Sequence, residues 1–146
     1  MSGLPVPVLV VGTGLIGTSL ALSLRRAGVT VWLEDRDPQS LAVAVDLGAG
    51  EPLSAQSPPG VEPPEVGLVV VAVPPAVTAT VIGDVLRRYP RAFVTDVASV
   101  KAPIHRSLVA AGVPVERYVG GHPMAGSEVS GPAAARADRI ADRPWV

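Results

Sequence analysis

The chain contains no cysteine. Disulfides, thiolate nucleophiles and thiolate metal sites are excluded, and a reducing, cytoplasmic setting is the expected one. With only two histidines besides, no metal centre is expected. Charge of either sign is not in surplus: 12 Lys and Arg stand against 13 Asp and Glu, for a net charge of −1 and a pI near 6.1. Without a basic stripe, nucleic acid is not an expected partner. Long apolar runs are missing too. The most apolar stretch, VGLVVVAVPPAV at 66–77, falls well short of the roughly 20 residues of a membrane helix. It also carries prolines, so it reads as a buried strand and no membrane partner is expected. The opening MSGLPVPVLVVGTG has neither the basic start nor the small-residue cleavage site of a secretory leader.

What is present is a core. Hydrophobic residues make up 48% of 146, enough for one compact domain. Their pattern alternates strand and helix. VPVLVVG (6–12) is a β-branched run of the kind buried on both faces of a parallel sheet. It leads into a helix over 15–28, with Ile16, Leu20 and Leu24 on one face and Gly28 as its stop. A strand at 29–35 and a helix at 38–48 follow. The Pro-rich segment 49–65 reads as a surface connection with room for a short edge strand. Then come a strand at 66–74, a helix at 76–90 with Val77, Val81 and Val85 on one face and Ile82 and Leu86 beside them, and a strand at 92–97. A helix at 102–112, a strand at 117–122 and a last helix within 132–142 complete the series, and the terminal PWV reads as the start of a strand. Repeated β-α units predict an α/β fold: a doubly wound, mainly parallel sheet with helices on both faces. Right-handed crossovers would place the strand C-termini along one edge, where such sheets bind ligands. The segments at that edge, 12–17, 34–36, 73–75, 96–101 and 120–128, hold most of the unusual residues.

The first of them, GTGLIG, spaces Gly12, Gly14 and Gly17 as G-x-G-x-x-G between a strand and a helix, with Leu15 and Ile16 in the turn. Such a turn lets backbone approach a pyrophosphate and aims the helix N-terminus at it. The companion acid at the end of the second strand is Asp35, with Glu34 as the alternative. A carboxylate there reads the adenosine ribose hydroxyls and repels a 2′-phosphate, which favours NAD. Arg36 follows directly and could receive that phosphate, which leaves NADP open.

TDVASVK (95–101), taken by itself, is ordinary loop chemistry, with Asp96 or Ser99 capping the next helix. In GGHPMAGSEVSG (120–131), His122 sits among small residues, where packing offers it little. Taken together, the two loops face one crevice. They offer an imidazole suited to accept a proton from an alcohol and a serine to orient it. His105, inside a helical stretch, reads as a plain surface or half-buried side chain.

These motifs together resemble the prephenate/arogenate dehydrogenase family of tyrosine biosynthesis. The resemblance runs from GTGLIGTSLALSL through EDRDP, VVVAVPP, TDVASVK and GGHPMAGSEVSG to RPWV. It implies a Rossmann-type NAD(P)-binding domain, and an oxidative decarboxylation of prephenate or arogenate. His122 would then be the catalytic base and Ser99 would hold the ring hydroxyl. Glu128 would order the pocket, with Ser127 beside it against substrate. Val73 and Pro74 would lie against the cofactor, while the resemblance gives Lys101 no firm role. It also implies a helical C-terminal domain that builds a homodimer and binds the substrate carboxylates. This chain ends at Val146, and is therefore expected to be the nucleotide-binding part alone.

Overall fold

The structure is a computed structural model and describes residues 7–53 and 65–121. The expected helix within 132–142, the terminal PWV, and His122, Ser127 and Glu128 lie outside the described residues.

The elements run β1 (Val8–Val11), α1 (Leu15–Arg26), β2 (Val31–Glu34), α2 (Pro38–Asp46), β3 (Glu51–Pro52), β4 (Leu68–Val71), α3 (Pro75–Arg88), β5 (Phe93–Asp96), α4 (Ala102–Ala110) and β6 (Tyr118–Val119). The strands form a parallel sheet ordered β3-β2-β1-β4-β5-β6. The doubly wound fold expected from the β-α alternation is therefore present, down to the short edge strand β3. Pro52 is tolerated because β3 is an edge strand, where the missing N–H costs no ladder bond.

β1 is buried along its whole length, as a central strand covered on both faces must be. One apolar layer packs Leu9, Val69, Val71 and Val94 against Ile82, Val85, Ile104 and Leu108, from α3 and α4. The opposite layer packs Val8, Val10, Val31 and Leu33 against Leu20, Ala21 and Ala44, from α1 and α2.

The buried face of α3 differs from the expected valine stripe. Thr78, Ile82, Gly83, Val85 and Leu86 are buried, whereas Val77 is exposed and Val81 half-buried. Two local interactions permit this rotation. The Thr78 hydroxyl donates to the Pro74 carbonyl (3.1 Å), which makes its burial cheap. Gly83 lies beside Val113, within ordinary contact range of where a β-carbon would stand.

Three helices end alike. After α1, Gly28 N–H donates to the Arg25 carbonyl and Val29 N–H to the Leu24 carbonyl (both 3.0 Å), with Gly28 at φ +85°. Gly48 with Ala49, and Gly112 with Val113, repeat the pattern after α2 and α4. This is the Schellman arrangement, and in each case the residue past the glycine is buried. α3 has no such glycine; Tyr89 and Pro90 follow it. Its C-terminal carbonyls are met from across the fold by Arg117. That guanidinium donates to the carbonyls of Leu86 (2.8 Å), Tyr89 (2.8 Å) and Ala92 (2.6 Å).

Arg117→Met should therefore cost about 2–3 kcal/mol, the usual scale when bonds from a charged donor are lost and their acceptors stay buried. In urea the midpoint should fall with the slope unchanged. Arg117→Lys should recover only part of the loss, because an ammonium cannot span three carbonyls as a planar fork does.

Candidate active site

Strand register sets the site. Val11 pairs with Glu34 on one side and Val71 on the other, Val71 with Asp96, and Thr95 with Val119. The residues just past these positions, at the C-terminal ends of the strands, therefore form one row, Gly12, Asp35, Ala72 and Val97, with Gly120 level with Asp96 beside it. The order in which strands are added reverses between β1 and β4, so Gly12 and Ala72 stand at the topological switch point, where open α/β sheets bind ligands.

The glycine turn is held there by close approach. Gly12 has φ +102°, and a β-carbon on it would collide with the Ala72 carbonyl. A β-carbon on Gly17 would collide with the Gly12 carbonyl and press on the Ala72 side chain. Gly14 differs: its φ is −75°, and a β-carbon there would meet none of the described residues within 4 Å. α1 begins at this point with no side-chain cap, and its buried first turn carries Leu15 with Ile16 half-buried. Val73 and Pro74 follow Ala72 directly. They flank the glycine turn, half-buried and exposed respectively.

The two acids ending β2 have separate surroundings. Glu34 is bound bidentately by Arg88 (3.0 and 2.9 Å). Arg88 also pairs with Asp84 (3.1 Å). The hydrogen bonds to Glu34 push the Arg88 guanidinium above its ordinary pKa, against the opposing effect of burial. Asp35 turns instead to the glycine turn. Its Oδ2 accepts from the Thr13 N–H (2.7 Å) and the Thr13 hydroxyl (2.8 Å), and its Oδ1 from the Asp37 N–H (2.8 Å). Of the two candidates, Asp35 is the carboxylate beside the turn. Arg36 is exposed and has no polar partner among the described residues.

At the ends of β5 and β6 a second assembly appears. Asp96 is fully buried. Its Oδ2 accepts from Lys101 Nζ (2.6 Å) and the Ala98 N–H (3.0 Å), and its Oδ1 from the Tyr118 hydroxyl (2.7 Å). The expected helix cap is thus corrected. α4 starts at Lys101 without any side-chain cap, because Asp96 is spent on tying its own loop closed and Ser99 is exposed. Ser99 projects from the loop that Asp96 and Lys101 clamp at both ends. Burial, and then the bond to Asp96, push the Tyr118 phenol far above the ordinary value near 10, so it remains a donor throughout the physiological range. A β-carbon on Gly120 would stand 3.1 Å from Lys101 Cδ and 3.3 Å from the Tyr118 hydroxyl. The loop bearing Ser99 and the segment running into His122 therefore share one buried carboxylate. Gly121, the last described residue before His122, is itself buried. His105 is exposed on α4, as expected.

The sequence alone does not single out Thr13 or Tyr118, and it leaves Lys101 without a role. Thr13 was hidden as the variable residue of the glycine motif. Lys101 was seen but lacked a partner. Tyr118 gave no signal beyond standing just before GGH. The available clue was Asp96, an acid closing an apolar strand, which burial obliges to find donors.

A family model described as prephenate dehydrogenase, nucleotide-binding domain, matches residues 20–146. The matched segment begins within α1, so the glycine turn is a separate line of support. The probable prephenate dehydrogenase NovF of Streptomyces niveus is 44% identical over 137 residues, covering 94% of this chain and 36% of that protein. The prephenate dehydrogenase of Aquifex aeolicus, solved with hydroxyphenyl propionate and NAD+, is 32% identical. It has a TM-score of 0.81, covering 95% of this chain and 49% of that one. The arogenate dehydrogenase of Synechocystis is 29% identical with a TM-score of 0.79, covering 95% and 48%. The chain thus spans about a third of the curated relative and about half of the solved ones. With the strand-end geometry, the glycine turn and the family match in agreement, the chain belongs to the prephenate dehydrogenase family and corresponds to its nucleotide-binding domain.

Proposed function

We propose that this chain binds NAD at the glycine turn and forms the dinucleotide-binding part of a cytoplasmic dehydrogenase that converts prephenate to 4-hydroxyphenylpyruvate. The observation that carries the binding reading is the contrast among the three glycines. Gly12 and Gly17 are demanded by the protein's own packing, whereas none of the described residues excludes a side chain at Gly14. Open space at that position fits a pyrophosphate approaching the uncapped start of α1. Leu15 and Ile16 would contribute the first helical N–H groups, with Val73 and Pro74 as the opposite wall. Asp35 would accept from the adenosine ribose and disfavour a 2′-phosphate, leaving Arg36 as the only feature drawing toward NADP.

Bound NAD supplies a hydride acceptor. The chain's own residues would position and deprotonate. Ser99, exposed on a clamped loop, would donate to or accept from the ring hydroxyl. His122, which follows the buried Gly121, would take the hydroxyl proton as hydride leaves the same carbon. Carbon dioxide would then depart, its bonding electrons making the ring aromatic, and the phenolate oxygen would recover a proton. Ser127 and Glu128 would complete the pocket around the substrate. Because the relatives are two to three times as long, we assign the cationic groups for the substrate carboxylates and the homodimer contact to sequence beyond this chain. Arogenate is the second reading, favoured by the likeness to the Synechocystis enzyme. An assay of the full-length protein with both substrates, following NADH absorbance, decides between them.

Gly14→Ala should leave stability within about 1 kcal/mol, since the new methyl meets no neighbour. It should weaken NADH binding at least about tenfold, measured by nicotinamide fluorescence; undiminished affinity would sink the binding reading. In the full-length protein, His122→Asn should lower turnover by roughly 10²–10⁴, the usual worth of a general base. The NAD KM should stay near its original value, and a variant with normal turnover would remove His122 from the chemistry.

A further inference from the structure

We propose that Thr13 is a specificity-determining positioning residue, which sets the preference for NAD over NADP by fixing the Asp35 carboxylate in place. The inference rests on the dinucleotide reading above and goes beyond it by naming a residue that touches no substrate.

Thr13 lies between Gly12 and Gly14 and is fully buried. A buried hydroxyl in a turn needs a partner, and here the partner is the β2 acid 22 residues away. Both donors of Thr13, the backbone N–H and the hydroxyl, converge on one oxygen, Asp35 Oδ2. The Asp37 N–H takes a position on Oδ1. A carboxylate offers about four acceptor sites, so Oδ2 is saturated and Oδ1 keeps one. The ribose diol would thus be read chiefly through Oδ1. Asp35 cannot turn to use both oxygens without breaking its bonds to Thr13.

The chemistry of the donors matters as much as their number. All three donors to Asp35 among the described residues are neutral: a hydroxyl and two peptide N–H groups. They hold the carboxylate without cancelling its charge. The adjacent Glu34 shows the opposite treatment, with its charge matched by the Arg88 fork. Of two consecutive acids, one is neutralised and one is kept as a fixed negative charge beside the turn. Such a charge disfavours a dianionic phosphate at short range. The repulsion works only while the carboxylate stays in place. Arg36 is next in the chain, exposed and without a polar partner among the described residues. A carboxylate loosened from Thr13 could turn toward that guanidinium, and the repulsion would weaken.

The test is a double-mutant cycle on residues 1–146. Affinities for NADH and NADPH are measured by nicotinamide fluorescence in the unaltered protein, Thr13→Val, Thr13→Ser, Asp35→Asn and the Thr13→Val/Asp35→Asn pair. The unaltered protein should prefer NADH. Thr13→Val, nearly isosteric, should reduce the NADH:NADPH preference about tenfold, equivalent to about 1.4 kcal/mol. Thr13→Ser, which restores the hydroxyl, should keep the preference within about twofold. In the Asp35→Asn background, Thr13→Val should change the preference no further, because its target carboxylate is gone. An unchanged preference in Thr13→Val, or an equal fall in both backgrounds, overturns the proposal. If Thr13→Val does not fold, loss of the preference in Thr13→Ser overturns it too. Failure of the unaltered protein to bind either dinucleotide would instead refute the underlying binding reading.

Discussion

The arrangement depends on one steric constraint: the turn after β1 and the turn after β4 touch through bare backbone. Gly12 and Gly17 have no room for a side-chain carbon because the Ala72 carbonyl and the Gly12 carbonyl already stand there. That approach draws the start of α1 down onto the sheet. It brings Val73 and Pro74 alongside the turn and leaves Gly14 as the open point. A larger residue at either packed glycine would lift α1 away and separate the parts of the edge. The ladder holds the rest of the row in line, since Val11, Glu34, Val71 and Asp96 at the strand ends are paired in register.

Three acids occur at or just past those strand ends, and the fold treats each differently. Glu34 meets a guanidinium on the face covered by α3. Asp35 meets only neutral donors and keeps its charge. Asp96 is wholly buried, and its charge is matched by Lys101 at short range with a phenol completing the set. A buried carboxylate without such partners would be too costly to keep ionised. Identical chemistry at the end of a strand thus yields a structural pin, a carboxylate held by neutral donors beside the glycine turn, and a loop clasp. What separates them is which residues the neighbouring elements deliver.

Much of this was legible beforehand. Alternating β-branched runs and amphipathic stretches gave the order of elements, since period and composition are local properties of the chain. Gly28 marked the end of its helix, and Gly48 and Gly112 end α2 and α4 in the same way. The glycine motif correctly located the switch point. The illegible part was whatever depends on distant partners. Thr78 rather than Val77 faces the core because Thr78 can bond back to Pro74, and the valine spacing carries no trace of that. Thr13 and Asp35 lie 22 residues apart, as do Asp96 and Tyr118. No periodicity links such pairs; only parallel pairing between strand ends makes them neighbours. Arg117 stands in for a missing terminal glycine on a helix that ends well before it, a substitution visible only once the chain is folded.

The shared Asp96 carboxylate has an implication for redesign. Residues 97–100 and 118–121 are anchored to the same two oxygen atoms, so neither stretch can be re-sculpted in isolation. A library that varies one while keeping the other would sample shapes that the common anchor rejects. New specificity at this edge is reached by exchanging both stretches together, with the lysine and the tyrosine carried along as part of the graft.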